Sequence, residues 1–179
     1  MIKKFNRIAM AMLVAAMPVA FASCSDDENN DEPQPEAVRV VATYNAQIHL
    51  SMLDYLDVMV DYPGPDGQVV TDTLGSAEWK KQVKYERDNG ELPSSLQAVL
   101  RIAVKEQPQV QDGSAQVSIG GKIGIESYTE YSNGSKEASV LTSDEAAEFE
   151  VDAEHLDEFA AVDDGVIAVA NCVVGNIVK

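Results

Sequence analysis

The sequence predicts an all-β protein, an antiparallel β-sandwich of about seven to nine strands with one short helical turn. Three observations lead to this prediction. Apolar residues after position 37 alternate with polar ones, the period of a strand with one buried face. Turn residues separate the alternating runs, and no long segment has the 3.6-residue period of an amphipathic helix. The strand number fits an immunoglobulin-like or a transthyretin-like topology.

The first predicted strand, residues 38–50, is also the longest, and its length predicts a bend or a bulge. Residues 51–54 have the spacing of a capping box and predict a single helical turn. Residues 56–62 alternate again. The turn-forming residues 63–67 then lead into a return strand at residues 68–74, so this pair is predicted to be a hairpin.

The middle of the domain contains three more alternating runs, residues 79–87, 96–105 and 117–125. Asn133-Gly134 follows and is a strong hairpin signal. A strict two-residue loop would place Glu130 opposite Glu137, an unfavourable pair, so the sequence favours the hairpin over that register.

The C-terminal part begins with a short edge strand predicted around Phe149 and Val151, and a helical turn follows at residues 153–162. The last predicted strand, residues 166–174, is apolar on both faces. Strands of that kind usually lie in the middle of a sheet, so this one is expected to be central and covered on both sides.

The N-terminus has the features of a secretory signal. Basic residues at positions 3, 4 and 7 precede an apolar stretch, residues 8–21, that is too short to span a bilayer. Phe21-Ala22-Ser23 before Cys24 resembles the lipobox cut by lipoprotein signal peptidase. This organisation predicts a signal peptide at 1–23, lipidation of Cys24, a tether within 24–36 and one β-sandwich domain at 37–179. An ordinary cysteine after a conventional signal peptide is the alternative.

The predicted tether is acidic, contains prolines and is nearly free of apolar residues, so it cannot bury enough surface to order itself. It begins with Ser25, Asp26, Asp27 and Glu28, which resemble the export signal that sends Bacteroidetes-type lipoproteins to the outer face of the outer membrane. The resemblance implies an outer-membrane, lipid-anchored protein facing the cell exterior. An acidic spacer facing the periplasm is the alternative.

The net charge of −17 argues against binding nucleic acid or an anionic lipid surface through phosphate groups. The membrane is therefore expected to be a partner through the lipid anchor only. Cleavage before Cys24 would leave Cys172 as the remaining thiol, so no intrachain disulfide is predicted.

The sequence lacks the common catalytic signatures for nucleophilic, zinc and nucleotide chemistry, so we predict no catalytic residues, no metal and no cofactor. The glycine cluster at residues 120–124 lies inside a strand pattern and is interpreted as a bulge or close backbone contact. His49 and His155 have no sequence neighbours that suggest a triad. Residues 144–164 hold ten carboxylates without a lysine or arginine, but they lack the ligand spacing of a calcium loop, which favours a solvated acidic face.

Two kinds of surface residue remain as candidates. Tyr128 and Tyr131 fall near the predicted Asn133-Gly134 loop tip, where binding residues often gather, and are candidate binding residues. Asp72-Thr73-Leu74 resembles the short acceptor motif for O-glycosylation in exported proteins of Bacteroidetes-type bacteria, which makes Thr73 a candidate attachment site.

One longer stretch carries a family resemblance. Residues 55–62, then Asp66-Gly67 and Trp79-Lys80-Lys81 together resemble small Bacteroidetes-type surface-exposed lipoproteins with a β-sandwich domain of unknown function. The resemblance covers about the first third of the mature domain. It implies a location and a fold, and it supplies no catalytic residues.

These observations predict an outer-membrane-anchored lipoprotein that acts as a non-catalytic binding or adaptor module for a surface protein or a glycan. Two alternatives remain. One is a small carboxylate-dependent glycan hydrolase, because two carboxyl groups at a suitable separation are enough for that chemistry. The other is a structural subunit of a surface assembly that donates or accepts an edge strand.

Overall fold

The computed structural model describes residues 34–106, 115–139 and 141–175. The predicted signal peptide, Cys24 and the export signal at residues 25–28 lie outside this part of the chain. Within the described ranges, no helix is long and apolar enough to cross a membrane.

Antiparallel strands dominate the described residues and confirm the all-β prediction. The strands are β1 Ala37–Ile48, β2 Leu56–Pro63, β3 Val69–Thr73, β4 Glu78–Glu86, β5 Ser95–Val104, β6 Gln116–Ile119, β7 Gly121–Tyr131, β8 Lys136–Ala138, β9 Thr142–Glu145, β10 Phe149–Asp152 and β11 Val166–Val173. The helices are α1 Met52–Tyr55 and α2 Leu156–Ala160, and 3-10 turns occupy Arg87–Asn89, Ala153–His155 and Val162–Gly165. The strands outnumber the predicted seven to nine because β6, β8, β9 and β10 are only three or four residues long.

Two larger sheets form the sandwich. Sheet A has the order β4-β1-β7-β8, with β9 also paired to β7, and sheet B has the order β11-β5-β2-β3. A small third sheet pairs β10 with β6. All of these pairs are antiparallel.

The core lies between the inner faces of sheets A and B, and the alternation seen in the sequence explains it. Every second residue of β2 is buried, and β1 buries Val40, Ala42, Tyr44 and Ala46 in the same way. Each fully buried valine, leucine or isoleucine contributes about 1.5–3 kcal/mol through its loss of contact with water. The turn before β2 is also as predicted, because α1 follows Ser51 and buries Met52.

The prediction that the last strand is central is wrong, because β11 lies at an edge of sheet B. Its inner face is buried at Ala168, Ala170 and Cys172, whereas Val173 on the other face is 78% exposed. A doubly apolar strand is ambiguous from sequence alone: the second face can be covered by another layer or can form part of an exposed apolar surface. Here the second face is half-buried at Ile167 and Val169 and exposed at Asn171 and Val173.

The predicted strand at 117–125 is divided at Gly120 into β6 and β7, which pair with different partners. The strand β7 then continues to Tyr131. A side chain at Gly121 would place its Cβ 2.8 Å from the backbone oxygen of Gln47, so the glycine permits close approach of β1. This agrees with the interpretation of the glycine cluster as a close backbone contact.

The Asn133-Gly134 hairpin is confirmed, and it joins β7 to β8. Its loop is one residue longer than the strict two-residue form, since the Tyr131 N–H donates to the Ser135 carbonyl oxygen and Gly134 takes a positive φ of 82°. Glu130 therefore lies opposite Lys136, and the two form an ion pair at 2.8 Å. The loop length thus removes the repulsion that a two-residue loop would cause.

Candidate functional site

The outer face of sheet B, which points away from the core, carries a groove of about 640 Å³. Apolar side chains contribute much of its surface. They come from the end of β2, the start of β3, the middle of β5 and the end of β11, and they are Pro63, Val69, Val99 and Val173. Val69 is 73% exposed and Val173 is 78% exposed, so the groove displays apolar surface to solvent.

Polar groups line the same groove and are mostly paired with each other. The Gln97 Nε2 group donates to Asn171 Oδ1 at 2.9 Å, which links β5 to β11 across the floor. Asp61 accepts hydrogen bonds from Arg101, at 2.5 Å and 3.0 Å, and from the Thr71 hydroxyl at 2.6 Å. The only charge among the groove-lining side chains in the described residues is therefore the carboxylate of Asp61, and Arg101 compensates it.

The pKa of Asp61 results from opposing effects. Partial burial raises it, but the hydrogen bonds from Arg101 and Thr71 together with the positive charge of Arg101 outweigh burial, so the pKa of this carboxyl lies below its ordinary value. Asp61 is thus an ionised, hydrogen-bonded group at neutral pH. It lacks the raised pKa that a general acid requires.

Tyr62 lies under the groove and belongs to an aromatic cluster in the core. Its ring centroid is 5.1 Å from that of Tyr44 and 5.6 Å from that of Trp79. Its hydroxyl donates to Asp72 at 3.0 Å, and burial together with this contact raises the pKa of Tyr62 to about 12. The cluster packs beneath the floor of the groove. Trp79 packs against the core, and Tyr85 is buried within it.

The groove lies at the end of the sandwich where β1 begins. At this end the Ser132 N–H donates to the Glu36 carbonyl oxygen, and Arg87 forms an ion pair with the Glu36 side chain at 2.8 Å. The Tyr85 hydroxyl donates to the carbonyl oxygen of Pro63, which lines the groove. A second concavity of about 280 Å³ lies beside it, between the 64–67 turn and the loop after β4. We call this the Ala37 end.

Tyr128 and Tyr131, the predicted loop-tip binding residues, are both half-buried on β7. The Lys136 ammonium lies 4.8 Å from the ring centroid of Tyr128, and the Tyr131 hydroxyl donates to Glu137 at 2.6 Å. Both tyrosines therefore contact residues of their own hairpin, and neither lines the groove on sheet B. The other candidate, Thr73, is exposed at the end of β3 on the outer face of sheet B.

The histidines and the acidic segment lie elsewhere. His49 is exposed, with its Nε2 atom 3.6 Å from Glu148, and His155 is exposed beside Glu154. Acidic side chains in 144–164 accept hydrogen bonds from neighbouring strands. Asp144 accepts one from the Val169 N–H at 2.8 Å, and Glu150 accepts one from the Ser118 hydroxyl. Across the described ranges, no group of three or more His, Cys, Asp or Glu side chains is placed to hold a metal ion.

The groove was not identified from the sequence. One signal for it existed, namely the apolar second face of the last strand, which the sequence analysis assigned to a buried position. The residues from β2, β3 and β5 could not have been assembled without the strand order.

Comparison of the chain with protein-family models, with curated proteins and with solved structures finds no match. Its function is therefore inferred from the geometry of the described residues.

Proposed function

We propose that the protein is a lipid-anchored, non-catalytic binding module of the outer membrane that holds a protein partner in the groove on the outer face of sheet B. One observation carries the proposal: two valines at opposite edges of one sheet, Val69 and Val173, are both more than 70% exposed and line the same groove. A contiguous exposed apolar surface, especially one rimmed by polar residues, is typical of an interaction site.

The chemistry of the groove favours a protein over a glycan. Its exposed apolar side chains are aliphatic, whereas a sugar ring is usually held by the open face of an aromatic ring. Tyr62 underlies the groove but packs between Tyr44 and Trp79. Gln97 and Asn171 supply amide groups of the kind that bond a peptide backbone. A protein segment with small apolar side chains fits these features.

The electrostatics of the groove also suit a protein partner. The whole chain carries a net charge of −17, so most approaching acidic surfaces are repelled. In the groove the charge of Asp61 is compensated by Arg101, and the other lining residues are neutral. Apolar burial contributes about 25 cal/mol per Å², and here little charge desolvation opposes it.

Anchoring through Cys24 would place the groove near the membrane. The tether, residues 24–36, spans at most about 45 Å when extended. It joins the sandwich at the Ala37 end, where the groove lies. A partner in the same membrane, or bound to it, is therefore within reach of the groove.

Crosslinking and affinity purification of the full chain from its native membrane tests this proposal. Val173→Lys places a charge in the groove, and Gln82→Lys is a matched control because Gln82 is exposed on the outer face of sheet A. A partner should co-purify with the wild type and with Gln82→Lys and be lost with Val173→Lys. Identical recovery with all three forms would contradict the groove as the binding surface.

The hydrolase alternative receives no support from Asp61 or Glu130. A glycosidase acid needs a raised pKa. In the described part of the chain, the pKa of the Asp61 carboxyl and that of the Glu130 carboxyl both lie below their ordinary values. Hydrogen bonds from Lys136 and Arg39 lower the pKa of Glu130.

A further inference from the structure

The strand β3 forms one edge of sheet B, and the hydrogen-bond pattern shows which of its peptide groups face outward. Gly64 donates to the Gln68 carbonyl, and Leu74 donates to the Val58 carbonyl. Both pairs belong to the register of β2 with β3, and bonded pairs alternate with non-bonded pairs in an antiparallel ladder. Val69, Thr71 and Thr73 are therefore in non-bonded positions, and their N–H and C=O groups point away from β2.

These three outward-facing residues are all exposed to solvent. Their backbone N–H and C=O groups bond no other group in the described part of the chain. Three peptide groups at every second position form the hydrogen-bonding edge that another β-strand recognises. The edge thus specifies the kind of occupant, an extended strand.

Two other sheet edges, β4 and β11, carry groups that β3 lacks and that oppose strand pairing. The edge strand β4 carries three exposed lysines, Lys80, Lys81 and Lys84, and charged edge residues of this kind disfavour strand pairing. On β11, the Asp144 carboxylate occupies the outward N–H of Val169. The strand β3 contains no lysine, no proline and no bulge.

We propose that the edge of β3 pairs with β3 of a second copy of this chain, in an antiparallel arrangement centred on Thr71. This interaction goes beyond the proposed partner binding in the groove, because it uses the strand edge and not the outer face. The sequence of β3, Val-Val-Thr-Asp-Thr, complements itself in this register. Thr71 faces Thr71 of the second copy, Val69 faces Thr73, and Val70 faces Asp72.

The side-chain pairs in this register are favourable or neutral. Threonine opposite threonine and valine opposite threonine are both typical of stable antiparallel pairs. The carboxylate of Asp72 would lie opposite valine, so the two aspartates are not directly opposed, and each already contacts Tyr62 and Lys81 of its own chain. Each of the outward-facing pairs can exchange two backbone hydrogen bonds.

The pairing of β3 with β3 of a second copy gives a symmetric dimer. A twofold axis perpendicular to the sheet relates the two copies, so the contact closes and does not propagate into a fibre. Sheet B then continues through both copies, and the two grooves open on the same side. Two lipid-anchored copies would in this way present a doubled binding face to a partner.

Co-purification of two differently tagged full-length copies, expressed together, tests the pairing. The wild type and Thr71→Val should capture the second copy, since valine keeps the backbone edge and the β-branched side chain. Thr71→Lys should lose it, because two lysines would meet on the twofold axis. Circular dichroism of each form checks the fold. Failure of the wild-type copies to capture each other would overturn the proposal, as would unchanged capture with Thr71→Lys.

A disulfide test fixes the register independently. Opposed residues in a bonded antiparallel pair have Cα atoms about 5.5 Å apart, which suits a disulfide. Thr71→Cys should therefore give an oxidised species of twice the chain mass, and Gln82→Cys on the edge of sheet A should not. Cys172 is 1% exposed and does not compete. Equal crosslinking at both positions, or none at Thr71→Cys, would contradict the pairing. Loss of groove binding with Val173→Lys leaves this result unchanged, so the two proposals fail separately.

Discussion

The hydroxyl oxygens of Tyr44 and Tyr85 lie 2.7 Å apart in the core of the sandwich. The Tyr85 hydroxyl donates its hydrogen to the carbonyl oxygen of Pro63 at 2.7 Å, so Tyr44 must be the donor within the tyrosine pair. Tyr44 and Tyr85 belong to sheet A, and Pro63 belongs to sheet B. This short chain of hydrogen bonds therefore joins the two sheets at the Ala37 end, beside the groove.

Tyr85→Phe should destabilise the fold by about 1–3 kcal/mol, because it leaves the buried Tyr44 hydroxyl and the half-buried Pro63 carbonyl without their partner. Urea unfolding measures the change. Tyr62→Phe is the control, since it removes a hydroxyl that bonds the partly exposed Asp72 and should cost less. Equal losses of stability for the two variants would show that the hydrogen bonds of Tyr85 stabilise the fold no more than the single one of Tyr62.

Alkaline pH should weaken the fold through the same tyrosines. Burial raises the pKa of Tyr44, and burial raises the pKa of Tyr85 to about 12, whereas an unfolded tyrosine titrates at about 10. The folded state thus holds these protons more tightly. The stability that this contributes is fully present below about pH 10 and is lost as the pH rises towards 12. Urea midpoints between pH 9 and 12 should fall, and less steeply for Tyr85→Phe. Parallel curves for both proteins would contradict this.

Gly165→Ala should destabilise the protein more than Gly67→Ala does. Both glycines have a positive φ, 75° and 77°, so alanine carries a similar backbone penalty of about 1–2 kcal/mol at each. At Gly165 the added Cβ would also clash with the Ile102 carbonyl oxygen, whereas at Gly67 nothing lies within 4 Å. Thermal unfolding of the two variants measures the difference. A larger loss of stability for Gly67→Ala would contradict the close packing of the Val162–Gly165 turn against β5.

Arg101→Met should cost about 1.5–3 kcal/mol at neutral pH, because it removes the charged hydrogen bonds that Asp61 accepts. The folded pKa of Asp61 is depressed, so the stability from this pair is present above the unfolded value of about 4 and is lost as the pH falls below it. The difference between wild type and Arg101→Met in urea unfolding should therefore narrow from pH 5 to pH 3. A constant difference would mean that packing, and not charge, is what Arg101 contributes.

Local patterns in the sequence predicted most of the strands and turns, but they could not predict the order of the strands in each sheet. Alternation and turn residues identified β1, β2, β4, β5 and the hairpin of β7 with β8. The same alternation could not distinguish a covered second face from an exposed one, which is why Val173 was assigned to a buried position. The groove joins residues from four strands that are distant in sequence, such as Pro63 and Asn171. Such a site depends on pairing between strands, which no single segment encodes.

Cys24→Ala is the change that tests the predicted anchor, at a position before the described residues. If the thiol of Cys24 carries the lipid, the variant should keep the fold, because the core between the two sheets begins at Val40 in the described part of the chain. It should move from the detergent-rich to the aqueous phase in a detergent partition, since acyl burial of about 0.8 kcal/mol per CH₂ no longer holds it. Ser25→Ala is the matched control and should remain anchored. Recovery of Cys24→Ala in the detergent phase would show that something other than this cysteine attaches the protein to the membrane.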